Sequence, residues 1–304
     1  MDKKVMLIVN PMAGKGQSRG CVLDVVQIFS DAGYATTVYP TKHSGHAAEL
    51  ARSYGSEYPI LACVGGDGTL SEVITGLMDI PYENRPNIGY IPLGTANDVA
   101  SSLKLIKDPV KAAKDIVNGT PMEIDVGSFN NTYFSYIAAF GAFTQVSYAT
   151  PQETKKALGH LAYVLEGMAS LTKITPYHAV VEHDGGVIEG DFVFGSVTNS
   201  TSVAGLVKLD PSYVGLNDGV FEIILVRNPK NVSDLHGIVK TILDHNFSNE
   251  NVVFLHSKKV SFTFEQEVAW TRDGENGGSW QSVIADNKRK AVKIIVNDAA
   301  EEIK

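Results

Sequence analysis

Cysteine is scarce in this chain of 304 residues, which contains only Cys21 and Cys63. The two are not spaced as C-x-x-C, and both fall in apolar segments, which favours buried thiols in a reducing compartment. No apolar run approaches the roughly 20 residues that a bilayer crossing needs. The first ten residues hold too few apolar side chains for a signal-peptide core. We therefore expect a cytoplasmic protein whose contact with lipid is peripheral.

Positive charge is also in short supply. The chain has 26 Lys and Arg against 34 Asp and Glu, a net charge of -8. Nucleic-acid binding needs clustered basic residues, and the few Lys and Arg clusters here are short. We expect no nucleic-acid partner. The length exceeds what one hydrophobic core usually covers, so two domains are expected.

Several common catalytic motifs are missing. No H-E-x-x-H or G-x-S-x-G sequence occurs, and the histidines show no metal-site spacing. Gly14-Lys15 is followed by Gly16 where a Walker A motif has Ser or Thr, and Arg19 stands at the third glycine of a dinucleotide fingerprint. Zinc-protease, serine-hydrolase, P-loop and Rossmann chemistry therefore have little support.

The chain does contain a glycine-rich junction between a buried strand and an amphipathic helix. Residues 59–64 read PILACV, and apolar residues then recur with helical spacing from Leu70 to Leu77. Gly65, Gly66 and Gly68 would let phosphate oxygens approach backbone N–H groups at the helix start. Asp67 would repel phosphate unless a divalent cation or water lay between them. Thr69 and Glu72 fit a capping box, which predicts that they satisfy the start of their own helix.

Strand and helix patterns alternate up to about residue 120 and predict βαβ units with a parallel sheet. The predicted strands there are 5–9, 34–39, 59–64 and 88–91, and the helices include 46–54 and a segment with its core face at Val22, Val25, Val26 and Phe29. Beyond residue 122 strand-like runs dominate. They are 124–129, 133–139, 177–182, 187–197, 220–226 and 260–264, with a hairpin turn at 184–186 and helices at 158–171 and 232–243.

Three glycine-containing loops, 10–16, 65–68 and 93–98, each follow a predicted parallel strand. The carboxyl ends of such strands share one sheet edge, so a single nucleotide could contact all three loops. Asn97-Asp98 suits either a helix N-cap or a polar ligand. Asp67 and Asp98 together suit a hard cation. The Asp273-Gly274-Glu275 sequence is by itself only a turn signal.

These motifs, in their order along the chain, resemble the diacylglycerol kinase catalytic-domain family of soluble bacterial lipid kinases. The motifs are 10–16, 65–72, 92–98, Asn217-Asp218-Gly219 and 273–275. The resemblance implies an α/β N-terminal domain with a parallel sheet, similar to phosphofructokinases and NAD kinases. It also implies a C-terminal β-sandwich-like domain and an active site in the interdomain cleft. The last segment is expected to return to the first domain, which gives boundaries of 1–123 plus about 288–304, and 124–287.

The resemblance also implies roles for individual residues. Asp273 is expected to be the base that receives the acceptor proton, and Asp67, Asp98 and Glu275 to surround a catalytic Mg²⁺. Asp218 and the Val220 carbonyl would hold a structural Mg²⁺, although Gly215 stands where relatives can supply a carboxylate. The residues expected to bind the nucleotide are Asn10, Gly65, Gly66, Asp67, Gly68, Thr69, Gly94, Thr95 and Asn97.

The resulting expectation is an ATP- and Mg²⁺-dependent kinase that phosphorylates a hydroxyl of diacylglycerol or a related lipid at a membrane surface. A homodimer is compatible with this expectation. A kinase of a soluble small molecule and a nucleotide-binding regulatory protein without turnover remain open. Ser71 and the lack of an arginine in 99–102 depart from the family pattern beside the cleft. The apolar run 133–143, with 158–165, could line an acyl-chain groove, but a sandwich core explains it better.

Overall fold

The computed structural model describes residues 3–141, 175–203, 207–209, 214–244 and 247–297. Its first part alternates strand and helix as the sequence predicts. The elements are β1 (Lys4–Val9), α1 (Gln17–Asp31), β2 (Ala35–Pro40), α2 (His46–Tyr54), β3 (Ile60–Gly65), α3 (Asp67–Met78), β4 (Asn87–Pro92), α4 (Asp98–Ser102) and α5 (Pro109–Asn118). The strands pair in parallel in the order β4-β3-β1-β2.

Both faces of this parallel sheet are covered by helices. Along β1, Met6 and Ile8 pack in the core that contains α2 and α3, whereas Leu7 packs in the core that contains α1 and α5. A strand buried on both faces has no solvent side, which explains its continuous apolar sequence. Because helices cover both faces, a ligand is expected at the carboxyl edge of the sheet, where the glycine loops lie.

The second part is mainly antiparallel. Its elements are β5 (Thr120–Phe129), β6 (Thr132–Phe134), β7 (Ile137–Gly141), β8 (Tyr177–His183), β9 (Gly186–Thr198), β10 (Ser202–Val203), β11 (Val207–Lys208), β12 (Phe221–Arg227), α6 (Val232–Leu243), β13 (Val252–Ser257), β14 (Lys259–Arg272) and β15 (Glu275–Val296). β7 and β8 lie end to end between β9 and β14, since each pairs with a different half of both long strands. The predicted turn at 184–186 joins β8 to β9.

An aromatic core fills the second part. Phe134 and Phe140 are fully buried in it with Trp270. The sandwich-core interpretation of the run 133–143 is confirmed for Phe134, Ala138 and Phe140, whereas Tyr136 and Ile137 pack in the core that contains α2 and α3. Residues 142–143 and 158–165 lie outside the described residues, as does the predicted helix 158–171. Cys63 is buried and burial raises the pKa of its thiol, but Cys21 is only half-buried, contrary to expectation.

The two parts share strands instead of being joined by linkers. β15 pairs with β14, then with β5, and at Ile294 in parallel with Ile88 of β4. The last segment thus returns to the first sheet. The predicted boundaries near residues 123 and 288 fall inside β5 and β15. These two strands therefore run from one part into the other without a break.

Some elements differ from the sequence prediction. The run 133–139 forms two strands, because the chain leaves the ladder at Ser135 and Tyr136. α5 and β13 were not predicted, although Asp108 caps α5 by accepting a hydrogen bond from Lys111 N. α6 occupies the predicted range 232–243. Among the helices of the described segments, none combines the length and apolar character that a bilayer crossing requires.

Candidate active site

The three predicted loops meet at the carboxyl edge of the parallel sheet. The Asn10 side-chain amide donates to Thr69 Oγ1 at 3.2 Å, which ties the first loop to the second. A Cβ on Gly94 would lie 2.6 Å from the Gly66 Cα, so the second and third loops touch through glycine backbone. A Cβ on Gly65 would lie 2.4 Å from Thr69 Oγ1. The glycines are therefore required by close packing as well as by access to the backbone.

The predicted capping box is wrong. α3 begins at Asp67, two residues before Thr69, so Thr69 lies inside the first turn and accepts from Asn10. Glu72 instead reaches the neighbouring helix, where its carboxylate accepts from Gly45 N at 2.7 Å and from Ala47 N at 3.1 Å. Glu72 therefore caps the start of α2 and holds the loop that forms one wall of the cleft.

Asp67 is a buried carboxylate that connects the glycine loop to α4. Its Oδ2 accepts from Asp98 N at 3.0 Å and its Oδ1 from Val99 N at 3.3 Å. The Tyr90 hydroxyl lies 3.5 Å from Oδ1. Burial raises the pKa of Asp67 to about 6, and these two N–H donors only partly offset that effect. A carboxylate whose charge is this poorly compensated fits the neighbourhood of a cation.

Asn97 does not cap α4 with its side chain. Its Oδ1 accepts from Gly94 N at 2.8 Å and its Nδ2 donates to Gly94 O at 2.9 Å, while its backbone is left-handed at φ 53°. Asn97 thus closes the turn 94–97, and Asp67 supplies the cap of α4. Thr95 remains exposed in this turn and lines the cleft.

Asp273 lies in the turn between β14 and β15 and is only 4% exposed. Its Oδ2 accepts from Ser135 N at 2.7 Å and from Ser135 Oγ at 2.9 Å. Its Oδ1 accepts from Tyr136 N at 3.0 Å and Ile137 N at 3.1 Å. A carboxylate offers about four lone-pair positions. All of them are occupied by donors from the break between β6 and β7.

Four carboxylates from both parts of the chain converge on Tyr136. Burial, followed by the negative charges of Asp273, Asp67, Asp98 and Glu275, raises the pKa of the Tyr136 hydroxyl well above its usual value. Glu275 also crosses the cleft, since its Oε1 lies 3.4 Å from the position of a Cβ on Gly68. The structure therefore brings together the residues predicted to surround a metal. Sequence reasoning missed Tyr136 and Tyr90, because an isolated tyrosine in an apolar run looks like an ordinary core residue.

Comparison with known proteins identifies the family of this chain. A model of the diacylglycerol kinase catalytic domain matches residues 4–129, and a model of the YegS C-terminal NAD kinase beta sandwich-like domain matches residues 138–296. A diacylglycerol kinase of Bacillus subtilis (strain 168) is 31% identical over 303 residues, 99% of each chain. The chain belongs to the diacylglycerol kinase catalytic-domain family.

Two further proteins are similar to this chain over nearly its full length. A diacylglycerol kinase of Staphylococcus aureus (strain MRSA252) is 33% identical over 305 residues, covering 99% of this chain and 95% of the relative. A solved structure from Bacillus anthracis str. Sterne, described as a "putative diacylglycerol kinase", has a TM-score of 0.82 and 26% identity over 98% of this chain and 96% of its own. Membership of the family supports a kinase and the two-domain architecture.

The cleft of this family member is large. It has a volume of about 1680 Å³ and is lined by all three glycine loops, by the loop 41–45 and by Arg272, Glu275 and Asn276 from the second part. A pocket for one small ligand typically measures 300–1,000 Å³. The cleft therefore has room for a nucleotide and part of an acceptor.

The predicted structural metal site is less complete than the catalytic cluster. Asp218 is exposed, and its Oδ1 accepts from Val220 N at 3.0 Å. The Val220 carbonyl already accepts from Asn287 Nδ2 at 3.1 Å. Nearby, Glu222 is fully buried, and within the described segments its carboxylate oxygens have no hydrogen-bond partner, although His256 Nε2 lies 3.9 Å from Oε1. Burial, with the charges of Asp218 and Asp125, raises its pKa to about 9. These residues do not form a ready set of cation ligands, so no role in the reaction is derived from them.

His43, which lines the cleft, forms a group with His46 and Glu49 in which candidate ligand atoms lie within 4.8 Å of one another. His46 Nδ1 accepts from Lys42 N at 3.1 Å, so in the neutral ring the proton is on Nε2. His46 also begins α2, where the positive end of the helix dipole disfavours a cation. We therefore assign no metal to this group.

Proposed function

We propose that this protein transfers the γ-phosphoryl group of ATP to a hydroxyl of diacylglycerol or a related lipid, in a reaction that needs Mg²⁺. The supporting observation is one cleft between the two parts of the chain that is lined by three glycine loops and by Glu275, with the charges of Asp67, Asp98, Asp273 and Glu275 all acting on the buried Tyr136 beside it. Positioning and charge neutralisation provide most of the catalysis in phosphoryl transfer. Backbone N–H groups of the glycine loops can position phosphate, and carboxylates can hold the cation that neutralises its charge.

The glycine loops would bind the nucleotide phosphates. The first N–H groups of α3 have no partner within the helix, and the positive end of its dipole favours anions. Gly66 and Gly68 carry no side chain that would keep phosphate away from these groups. Asn10, Thr69 and Asn97 fix the loops through the hydrogen bonds described above, so their role is to position the cradle.

Asp67, Asp98 and Glu275 would hold the Mg²⁺ together with its water molecules. Their oxygens suit a hard cation, and burial, which raises the pKa of Asp67, makes the charged form of this carboxylate costly unless a cation lies beside it. The ion would neutralise charge on the phosphate oxygens during transfer. A second, structural Mg²⁺ at Asp218 and Val220 stays a prediction.

Asp273 is proposed as the base. The proton of the acceptor hydroxyl would pass to Asp273 Oδ2 as the hydroxyl oxygen bonds to the γ-phosphorus. The bond from that phosphorus to the bridging oxygen would break, and ADP would leave with that oxygen. Three of the four donors to Asp273 are backbone N–H groups, and only the Ser135 hydroxyl can rotate away. The acceptor hydroxyl would therefore take the place of Ser135 Oγ.

One observation favours a second candidate, nucleotide binding without turnover. The full occupation of the Asp273 oxygens leaves no lone pair for a substrate proton unless Ser135 moves. A kinase of a soluble acceptor would share all of the phosphate-binding residues. Peripheral membrane binding during catalysis, a cytoplasmic location and a homodimer belong to the lipid-kinase proposal.

The test is transfer of labelled phosphate from ATP to a panel of lipids in mixed micelles, with and without Mg²⁺. Label in one lipid class, lost in Asp273→Asn and kept in Asp24→Asn, would support the proposal. Asp24 is an exposed residue of α1 outside the cleft and provides the matched control. Label only in water-soluble acceptors would move the substrate to that class. Binding of Mg²⁺-ATP without any transfer would favour the regulatory candidate.

A further inference from the structure

Arg272 lines the cleft but is not among the residues proposed to bind the nucleotide, hold the metal or act as the base. It is the last residue of β14, immediately before Asp273, and pairs with Ala138 of β7. Its half-buried side chain lines the cleft beside Glu275 and Asn276. The position of its backbone is thus fixed by the same pairing that places Asp273.

One nitrogen of the Arg272 guanidinium is anchored to β6. Nη1 donates to Thr132 Oγ1 and, at 2.8 Å, to Tyr133 O, which uses both of its hydrogens. Nε and Nη2 carry three more N–H groups. Within the described segments, no acceptor for these three groups is found, and no carboxylate lies within ion-pair distance of the guanidinium.

A half-buried cation of this kind is costly unless an anion binds it. Burial lowers the pKa of Arg272 and the charge of Asp273 opposes that effect, but a guanidinium stays protonated in proteins. The anchor at Nη1 also fixes the plane of the group, so little conformational entropy would be lost on binding. Arg272 therefore presents an immobilised pair of donors, Nε and Nη2, inside the cleft.

We propose that Nε and Nη2 of Arg272 donate to two oxygens of the phosphoryl group that is transferred. The inference rests on the proposed kinase function. A planar pair of donors matches two oxygens of one phosphate, and charge on those oxygens must be stabilised during transfer. A phosphate already present on the acceptor would offer the same chemistry, and the experiment separates the two sources.

The experiment compares Arg272→Leu, Arg272→Lys and Thr132→Val in the full chain. It measures kcat, the KM of the acceptor, and the Kd values of ATP and ADP with Mg²⁺. Arg227→Leu is the matched control, because Arg227 lies at the end of β12 and packs on Phe192 away from the cleft. Thermal unfolding of each variant identifies any loss of folding.

For Arg272→Leu we expect kcat to fall by about 100-fold or more, as for the loss of one transition-state donor. The preference for ATP over ADP should fall by roughly tenfold, because ADP lacks the phosphate that Arg272 contacts. The KM of the acceptor should stay within about twofold. Arg272→Lys should recover only part of kcat, since an ammonium cannot donate as a planar pair. Thr132→Val should give a smaller kcat loss of roughly threefold to tenfold by releasing the anchor.

Equal weakening of ATP and ADP binding would overturn the inference. A rise in the acceptor KM with unchanged kcat would also overturn it and would assign Arg272 to an acceptor phosphate. If Arg272→Leu does not fold, Arg272→Lys must show the lost ATP preference. If the wild-type protein transfers no phosphate, the proposed function fails, but the ATP and ADP binding constants still test Arg272.

Discussion

Asp67 and Asp273 are both buried carboxylates behind residues that line the cleft, yet they are held in different ways. Asp67 accepts two backbone hydrogen bonds, at 3.0 and 3.3 Å, and burial raises its pKa to about 6. Asp273 accepts three backbone hydrogen bonds and one from the Ser135 hydroxyl, at 2.7 to 3.1 Å. Asp67 therefore keeps lone pairs for a cation, whereas Asp273 is fixed in place and must exchange a partner to react. Asp67 is thus suited to bind a cation, and Asp273 is suited to hold one fixed orientation.

The same substitution at both positions tests this difference, and we expect the largest effects there. Asp67→Asn should reduce turnover by at least about 100-fold and raise the Mg²⁺ concentration needed for half-maximal activity. Asp273→Asn should reduce turnover by ~10² to 10⁴ without changing the Mg²⁺ requirement. Mg²⁺ titrations of residual activity measure both. Equal shifts in the Mg²⁺ requirement would remove the distinction between the two sites.

Glu222 extends the comparison to a buried carboxylate whose oxygens accept no hydrogen bond within the described segments, with His256 Nε2 at 3.9 Å from Oε1. Its pKa of about 9 in the folded protein exceeds the ordinary value of 4.5, so the folded state retains a proton that the unfolded state loses. Stability should therefore fall as pH rises between these values. By linkage, ionisation of Glu222 should lower the free energy of unfolding of the wild type by roughly 2 to 3 kcal/mol between pH 5 and pH 7. Glu222→Gln should lack this part of the decrease.

Urea unfolding of wild type and Glu222→Gln in EDTA across this pH range provides the measurement. Glu250→Gln, at an exposed position of the second part, is the control for loss of a carboxylate. Parallel pH profiles for wild type and Glu222→Gln would show that Glu222 has a partner in solution.

Gly65→Ala tests how tightly the glycine loop packs. The new Cβ would lie 2.4 Å from Thr69 Oγ1, so the loop must shift, and we expect a loss of about 1 to 3 kcal/mol in the free energy of unfolding. Gly20→Ala is the matched control. Gly20 lies in α1 with nothing within 4 Å of its Cβ position, so alanine there should stabilise the helix by about 0.5 to 1 kcal/mol. Effects of the same sign on thermal unfolding would contradict the packing argument.

Glu72→Ala should have the smallest effect. It removes the acceptor for Gly45 N and Ala47 N and should cost about 1 kcal/mol, as for other lost helix caps. Glu49→Ala, on an exposed face of α2, is the control. Hydrogen exchange at Gly45 and Ala47 should speed up in Glu72→Ala alone. Unchanged exchange would mean that Glu72 does not cap α2.

Sequence reasoning succeeded where the relevant contacts are local. The glycine loop between β3 and α3 was predicted from a strand, three glycines and a helical period within about 20 residues. The capping box failed because Thr69-x-x-Glu72 cannot show that Glu72 has another helix beside it. The donors to Asp273 come from residues 136 to 138 positions earlier, and no local pattern reports such a pairing. Tyr136 and Arg272 were missed for the same reason.

The long strand β15 also constrains the order in which the protein can be made. Arg85 Nη1 donates to Ala291 O, across 206 residues of sequence, and residues 292–296 complete the sheet beside β5 and β4. At usual rates of synthesis, roughly 10 to 40 seconds separate the emergence of β4 and β15 from the ribosome. During that interval the nascent α/β part has an open sheet edge, which is prone to mispairing. The first part can be finished only after the second has been translated.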